Sequence, residues 1–191
     1  MANPSPPLTL PGFPLRPGRM HEVSGPGATA FACIIAAGLD GPVIWARERW
    51  LADHIHPPGI HGFFDPARLL LAETRDQSET LAVAEDALRD GSAPLVLAEI
   101  TKPLNLTEGR RLQLAAQAGR ATGLCLIPED MGSNAAETRW QCSPVFDPDG
   151  LDDSTLFRWR IIKNKSGTIG AWDVRWDAAA RRLDVVSSAG D

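Results

Sequence analysis

The apolar positions of this chain follow two rhythms, and the change between them falls near Pro144. Before it, short apolar runs alternate with stretches of helical period. Met20 to Ser24 predicts a strand, Gly25-Pro26-Gly27 a turn, and Ala28 to Ala37 an apolar helix stopped by Gly38. Val43 to Ala46 predicts a short buried strand, and Glu48 to His54 a helical stretch broken by Pro57-Pro58. Asp65-Pro66 opens a turn into a further buried strand, Leu69-Leu70-Leu71. Ser78 is placed to cap a helix with the stripe Leu81, Ala84 and Leu88, and Gly91 lies past its end. Thr107 is placed to cap another that carries Leu112, Ala115 and Ala116. Leu95 to Ala98 and Gly123 to Ile127 are the strands that follow these two helices. Four alternations of strand and helix with short connections predict an α/β fold, a mostly parallel sheet flanked by helices.

Beyond Pro144 the period drops to two. Phe157, Trp159 and Ile161 alternate with Arg158, Arg160 and Ile162, and Trp172, Val174 and Trp176 alternate with Asp173 and Arg175. A turn at Lys165-Ser166-Gly167-Thr168 and a third run at Leu183 to Val186 complete a C-terminal antiparallel meander. Trp159, Trp172 and Trp176 are read as core. Residues 1–18 hold six prolines and form a Pro-rich N-terminal arm, either loose or packed as a strap. Residues 19–187 form the folded domain, and 188–191 a short tail.

A length of 191 residues fits one domain with a real core, and 43% hydrophobic residues exclude a wholly disordered chain. Three cysteines (Cys33, Cys125, Cys142) are too few for a disulfide framework and point to a reducing compartment. No apolar run reaches the roughly 20 residues of a membrane helix, and the N-terminus lacks a signal-peptide pattern; the expectation is a cytoplasmic protein without membrane contact. The net charge of −5 is unevenly spread. Residues 158–191 carry seven basic residues against four aspartates, a local +3, so the rest of the chain carries −8. Of the three lysines, Lys163 and Lys165 sit two residues apart.

Several positions could carry chemistry. Ser24-Gly25-Pro26-Gly27-Ala28-Thr29 joins a strand to a helix, where a phosphate-binding loop would lie, but it is short and Ala28 stands where a lysine is needed. A plain tight turn is the favoured reading. His54, His56 and His61 are the one metal-like group, weak because Pro57-Pro58-Gly59 interrupts the spacing, so no metal is assigned. Asp147, Asp149, Asp152 and Asp153 lack the spacing of a calcium loop. Cys33 and Cys125 lie in apolar runs and read as packing residues.

The ordered fragments "MHEVSGP", "FACIIAAGLDGPVIWARE", "ARLLLAETRDQSETLAVAEDALRDG", "LVLAEI" and "RWRIIKNKSG" resemble the RecA-type ATPase core. "HEVSG", "GPVIWARERW", "TEGRRLQLAAQA" and "KNKSGTIGAWDVRWD" most resemble the ImuA family, shortened RecA relatives of bacterial mutagenesis cassettes. The resemblance runs from about Gly18 to Val186. It places Glu48 at the carboxylate that orients an attacking water and Glu99 at the Walker B acid that helps hold Mg²⁺. It matches Lys163 and Lys165 to lysines that reach a neighbouring protomer's ATP. The departures, Ala28 in place of lysine, a shortened turn around Gly25, Gly27 and Thr29, and the longer Glu99, imply a RecA-like fold without ATP hydrolysis and without a cofactor.

The resemblance implies a non-catalytic adaptor in DNA-damage-induced mutagenesis, assisting translesion synthesis. Its partners would be an ImuB-like polymerase-related protein, RecA, or DNA through a basic strip of Arg158 and Arg160. On sequence alone the lysine pair reads more simply as a solvated turn, and the arginines as a solvated strand face. Two alternatives stand beside the adaptor: a SulA-like cell-division inhibitor acting on a tubulin-like filament protein, and an ATPase completed by a partner's residues.

Overall fold

The computed structural model describes residues 10–147 and 154–189. Among them, nine strands form one mixed sheet. They are β1 (Met20–Ser24), β2 (Val43–Glu48), β3 (Leu69–Thr74), β4 (Leu95–Glu99), β5 (Thr122–Leu126), β6 (Thr138–Pro144), β7 (Ser154–Asn164), β8 (Gly170–Asp177) and β9 (Arg182–Ala189). The helices are α1 (Ala28–Ala37), α2 (Pro57–His61), α3 (Gln77–Asp90) and α4 (Leu106–Gly119). The sheet order is β3-β2-β4-β5-β1-β6-β7-β8-β9. Strands β3 to β6 in that order pair in parallel, and β7, β8 and β9 continue as an antiparallel meander. The predicted α/β architecture, parallel sheet first and meander after, is the one observed.

Alternation along each central strand builds two cores. In β4, Leu95 and Leu97 face α1, while Val96 and Ala98 face α3 and α4. Burial on both faces explains why these strands read as continuous apolar runs. The α1 core holds an aromatic cluster: Phe31 lies 4.5 Å from Trp159 and 5.5 Å from Trp140 between ring centroids. Trp159 and Trp176 are buried, whereas Trp172 is half-buried at the cluster's margin.

The chain enters through this core. Leu10 and Leu15 are buried in it, and Phe13 packs on Trp159 at 5.6 Å. The described part of the Pro-rich segment is therefore a packed strap, and its first nine residues lie outside the described set.

Several local expectations are corrected. Glu48 to His54 is not helical: β2 runs on through Glu48, and the helix begins at Pro57, because proline suits the first helical turn better than it ends one. The cap of α3 is Asp76, which accepts from the Glu79 amide at 3.0 Å, not Ser78. The cap of α4 is Asn105, in a reciprocal pairing with Glu108, not Thr107. In both cases a carboxylate or amide oxygen two residues upstream of the predicted cap takes the role. Strand β3 is not buried but forms a sheet edge, with Leu70 and Leu71 exposed. Strand β6, unforeseen in sequence, is the seam between the parallel and antiparallel halves.

His21 locks β1 to the strap and to β6. It is fully buried, with Nδ1 2.7 Å from the Thr138 hydroxyl and Nε2 3.0 Å from the Arg16 carbonyl. Burial lowers its pKa to about 4, against the bond to Arg16, which pulls it up. The unfolded chain protonates near pH 6.5 and the folded chain only near 4, so stability is full above that window and falls as the pH drops through it. The loss amounts to roughly 3 kcal/mol. Urea unfolding at pH 7 and pH 4.5 should show this drop, and His21→Gln should flatten it.

Candidate functional site at the carboxyl ends of the parallel strands

A cleft of about 760 Å³ opens where β1, β2, β4 and β5 end. In a parallel sheet this is where ligands collect, because the chain leaves each strand there in a loop. Its walls come from the turn and first residues of α1 (Pro26, Ala28, Thr29), from the segment after β2 (Leu51, His54, His56), and from Glu99, Thr101 and Leu126. Trp45, Cys33, Ile60 and Phe63 make much of its surface apolar.

The turn that leads into α1 is closed upon β6. The Gly27 amide donates to the Cys142 carbonyl at 2.9 Å, and the Ala28 amide donates to the Gly25 carbonyl at 3.0 Å. A Cβ at Gly25, whose φ is +92°, would stand 2.5 Å from the Cys142 oxygen, and one at Gly27 would stand 2.6 Å from its Sγ. These glycines are therefore required by a neighbouring strand. The Gly27 and Ala28 amides, which a phosphate loop would aim at its ligand, are spent inside the fold. Gly25 and Gly27 do not line the cleft, while Ala28 and Thr29 do.

Glu48, at the end of β2, is buried and does not line the cleft. One oxygen accepts from Trp50 Nε1 at 2.6 Å and the other from the Thr101 hydroxyl at 2.5 Å. The Thr101 bond ties the β2 and β4 ends together, and the Trp50 bond holds the turn after β2. Glu99 does line the cleft. Its Oε1 accepts from Trp45 Nε1 at 2.9 Å and lies 3.3 Å from Arg47 Nε. Burial pushes the Glu99 carboxyl above its usual range, against the pull of Arg47 and Trp45, and nearby Asp53 adds to the rise.

Arg47 is the residue sequence reasoning missed. It is 3% exposed, lines the cleft, and its Nε has no hydrogen-bond partner among the described residues. The signal was present: Val43-Ile44-Trp45-Ala46-Arg47 is an apolar strand ending on a charge that no alternation places outside. His54 and His56 line the same cleft, but His61 does not, and its carbonyl accepts from Arg181 at 3.4 Å. Among the described residues no three metal-ligating side chains gather. Asp147 pairs with Arg175 at 2.7 Å, while Asp149, Asp152 and Asp153 lie outside the described residues.

Lys163 and Lys165 sit at the opposite end of the sheet, beyond the start of β6. Lys163 Nζ donates to the carbonyls of Ser133 and Asn134 at 2.9 and 3.0 Å, and Lys165 Nζ to that of Ala135 at 2.8 Å. Burial, then Arg139 and Lys165, lowers the Lys163 pKa. Arg139 meets the buried Glu22 at 2.8 Å, and Arg16 and Arg19 approach Glu137 at 3.8 and 3.9 Å. The C-terminal strip is partly neutralised: Arg158 makes a two-point pair with Asp173 at 2.8 and 3.0 Å, and Arg182 pairs with Asp184. Arg160 is exposed with no ion pair among the described residues. Cys33, Cys125 and Cys142 are buried free thiols. Burial pushes Cys33 and Cys142 up to about 12 and Cys125 higher still, so none is a ready nucleophile.

No family model matches the chain. It is 34% identical to the protein ImuA of Caulobacter vibrioides in two strains, a match covering 85% of this chain and 77% of that protein. The chain belongs to the ImuA family. In this family member the cleft is bounded by a turn whose glycines serve packing and by a buried arginine–glutamate pair. Among the described residues, no helix is long and apolar enough to cross a membrane. Because the turn is held by Cys142, Gly25→Ala should destabilise the protein by roughly 1–3 kcal/mol, measured by urea unfolding. Ala30→Ser, at the third residue of α1, should cost less than about 1 kcal/mol.

Proposed function

We propose that this chain is a RecA-like, non-catalytic adaptor of DNA-damage-induced mutagenesis, supporting error-prone synthesis past lesions by binding an ImuB-like polymerase-related protein. Membership of the ImuA family supports the process and the partner. The observation that carries the non-catalytic part is the Gly27 amide bonded to Cys142, with Ala28 in place of a phosphate-binding lysine. The placement of Glu48 adds to it, since it is buried, bonded to Trp50 and Thr101, and does not line the cleft where an attacking water would stand. RecA and DNA are further partners in this reading. The basic groups gathered at the amino-terminal edge of β1, β5 and β6 (Arg16, Arg19, Arg120) offer an acidic partner a cationic surface. The 3.8 and 3.9 Å approaches of Arg16 and Arg19 to Glu137 are looser than the 2.8 Å pair of Arg158 with Asp173.

Co-purification tests the adaptor role. The tagged chain should retain the polymerase-related protein of its own genome, and deletion of its gene should abolish damage-induced mutation. The reading fails if the purified pair shows no association or if the mixed complex hydrolyses ATP. Arg16→Glu with Arg19→Glu should weaken partner retention at least tenfold at physiological salt while leaving far-UV dichroism unchanged.

A further inference from the structure

The cleft that no longer suits phosphate has a composition of its own. Its volume, about 760 Å³, is that of a small-molecule site, and its walls are mostly apolar. One wall is different. Arg47, almost wholly buried, forms no hydrogen bond with any described residue, though its Nε lies 3.3 Å from Glu99 Oε1. Glu99 Oε1 is already taken by Trp45, while Oε2 has no partner among the described residues. A buried guanidinium nitrogen without an acceptor is costly, and the Glu99 carboxylate beside it is partly open to the cleft. Side by side they present donors and an acceptor to the same space.

We infer that this cleft binds a small, planar, uncharged molecule carrying a ring carbonyl beside a ring N–H: a cyclic amide of one or two fused rings. The carbonyl accepts from the Arg47 guanidinium, the N–H donates to Glu99 Oε2, and the ring lies between Trp45, Phe63, Ile60 and Leu126. Charge and donor pairing select against the alternatives. An anion would meet Glu99 and Asp53 in a cleft lined by no lysine, and a cation, which carries only donors, would leave Arg47 unanswered. Phosphates find the Gly27 amide occupied. The inference rests on the non-catalytic reading of the cleft.

Three probes with one ring system test it on the purified chain: 2-quinolone, quinoline, and quinoline-2-carboxylate. Calorimetry and the Trp45 indole N–H resonance report binding. Saturable binding of 2-quinolone is expected, with a shift of the Trp45 signal, at least tenfold tighter than either other probe. Arg47→Met should weaken it at least tenfold. Should that variant not fold, Thr29→Trp, at an exposed rim position, should weaken it as much by filling the mouth. Equal affinity for quinoline, tighter binding of the carboxylate, no binding of 2-quinolone, or unchanged binding by the folded variant each overturn the inference. None of these touches the adaptor reading, whereas ATP turnover by the mixed complex would contradict that reading and leave the 2-quinolone result standing.

Discussion

The contact between the Gly25-Pro26-Gly27 turn and the backbone of Cys142 is the constraint on which the rest of the molecule depends. It holds β6 beside β1, and that placement makes β6 the hinge from a parallel sheet to an antiparallel meander. It also fixes the start of α1, which sets Phe31 against Trp140 and Trp159. The room for the approach exists because neither glycine carries a Cβ. The same contact engages the Gly27 amide, one of those a phosphate loop would turn outward.

Two sets of charged groups lie at opposite ends of the sheet. At the carboxyl ends, the buried Arg47 lies 3.3 Å from the half-buried Glu99, which accepts from Trp45, and the buried Glu48 accepts from Trp50 and Thr101. At the amino-terminal edge, Lys163 and Lys165 hold the Ser133–Ala135 carbonyls, and Arg139 neutralises the buried Glu22. Lysines that look free in sequence are structural in part. Removing one member of the Glu22–Arg139 pair leaves an unpaired buried charge, costing about 3–5 kcal/mol. This edge keeps exposed arginines as well, so folding and partner contact compete for the same cationic surface.

The architecture was legible because period and punctuation agree along the parallel half: apolar runs, Gly38 and Gly91 after helices, period two after Pro144. The misses have physical reasons. Strand β6 does alternate, with Thr138, Trp140 and Cys142 buried and Arg139, Gln141 and Ser143 less so. Only Trp140 and Cys142 of its buried face are apolar, and its place between β1 and β7 is set by long-range pairing. Leu69 to Leu71 look buried because apolar content is visible in sequence, whereas edge position is a property of sheet order. The caps moved two residues because Asp76 and Asn105 accept from the Glu79 and Glu108 amides and so start each helix before Ser78 and Thr107. At the site, the absent lysine was readable at Ala28, but the use of the Gly27 amide by Cys142 was not.

The central claim is that the turn is committed to the fold. It is tested most directly by following the Gly27 and Ala28 amide resonances during a titration with Mg²⁺ and ATP. Both amides should exchange slowly with solvent and keep their positions up to millimolar nucleotide. Saturable shifts of these two resonances at micromolar ATP, with faster exchange at Gly27, would contradict the account.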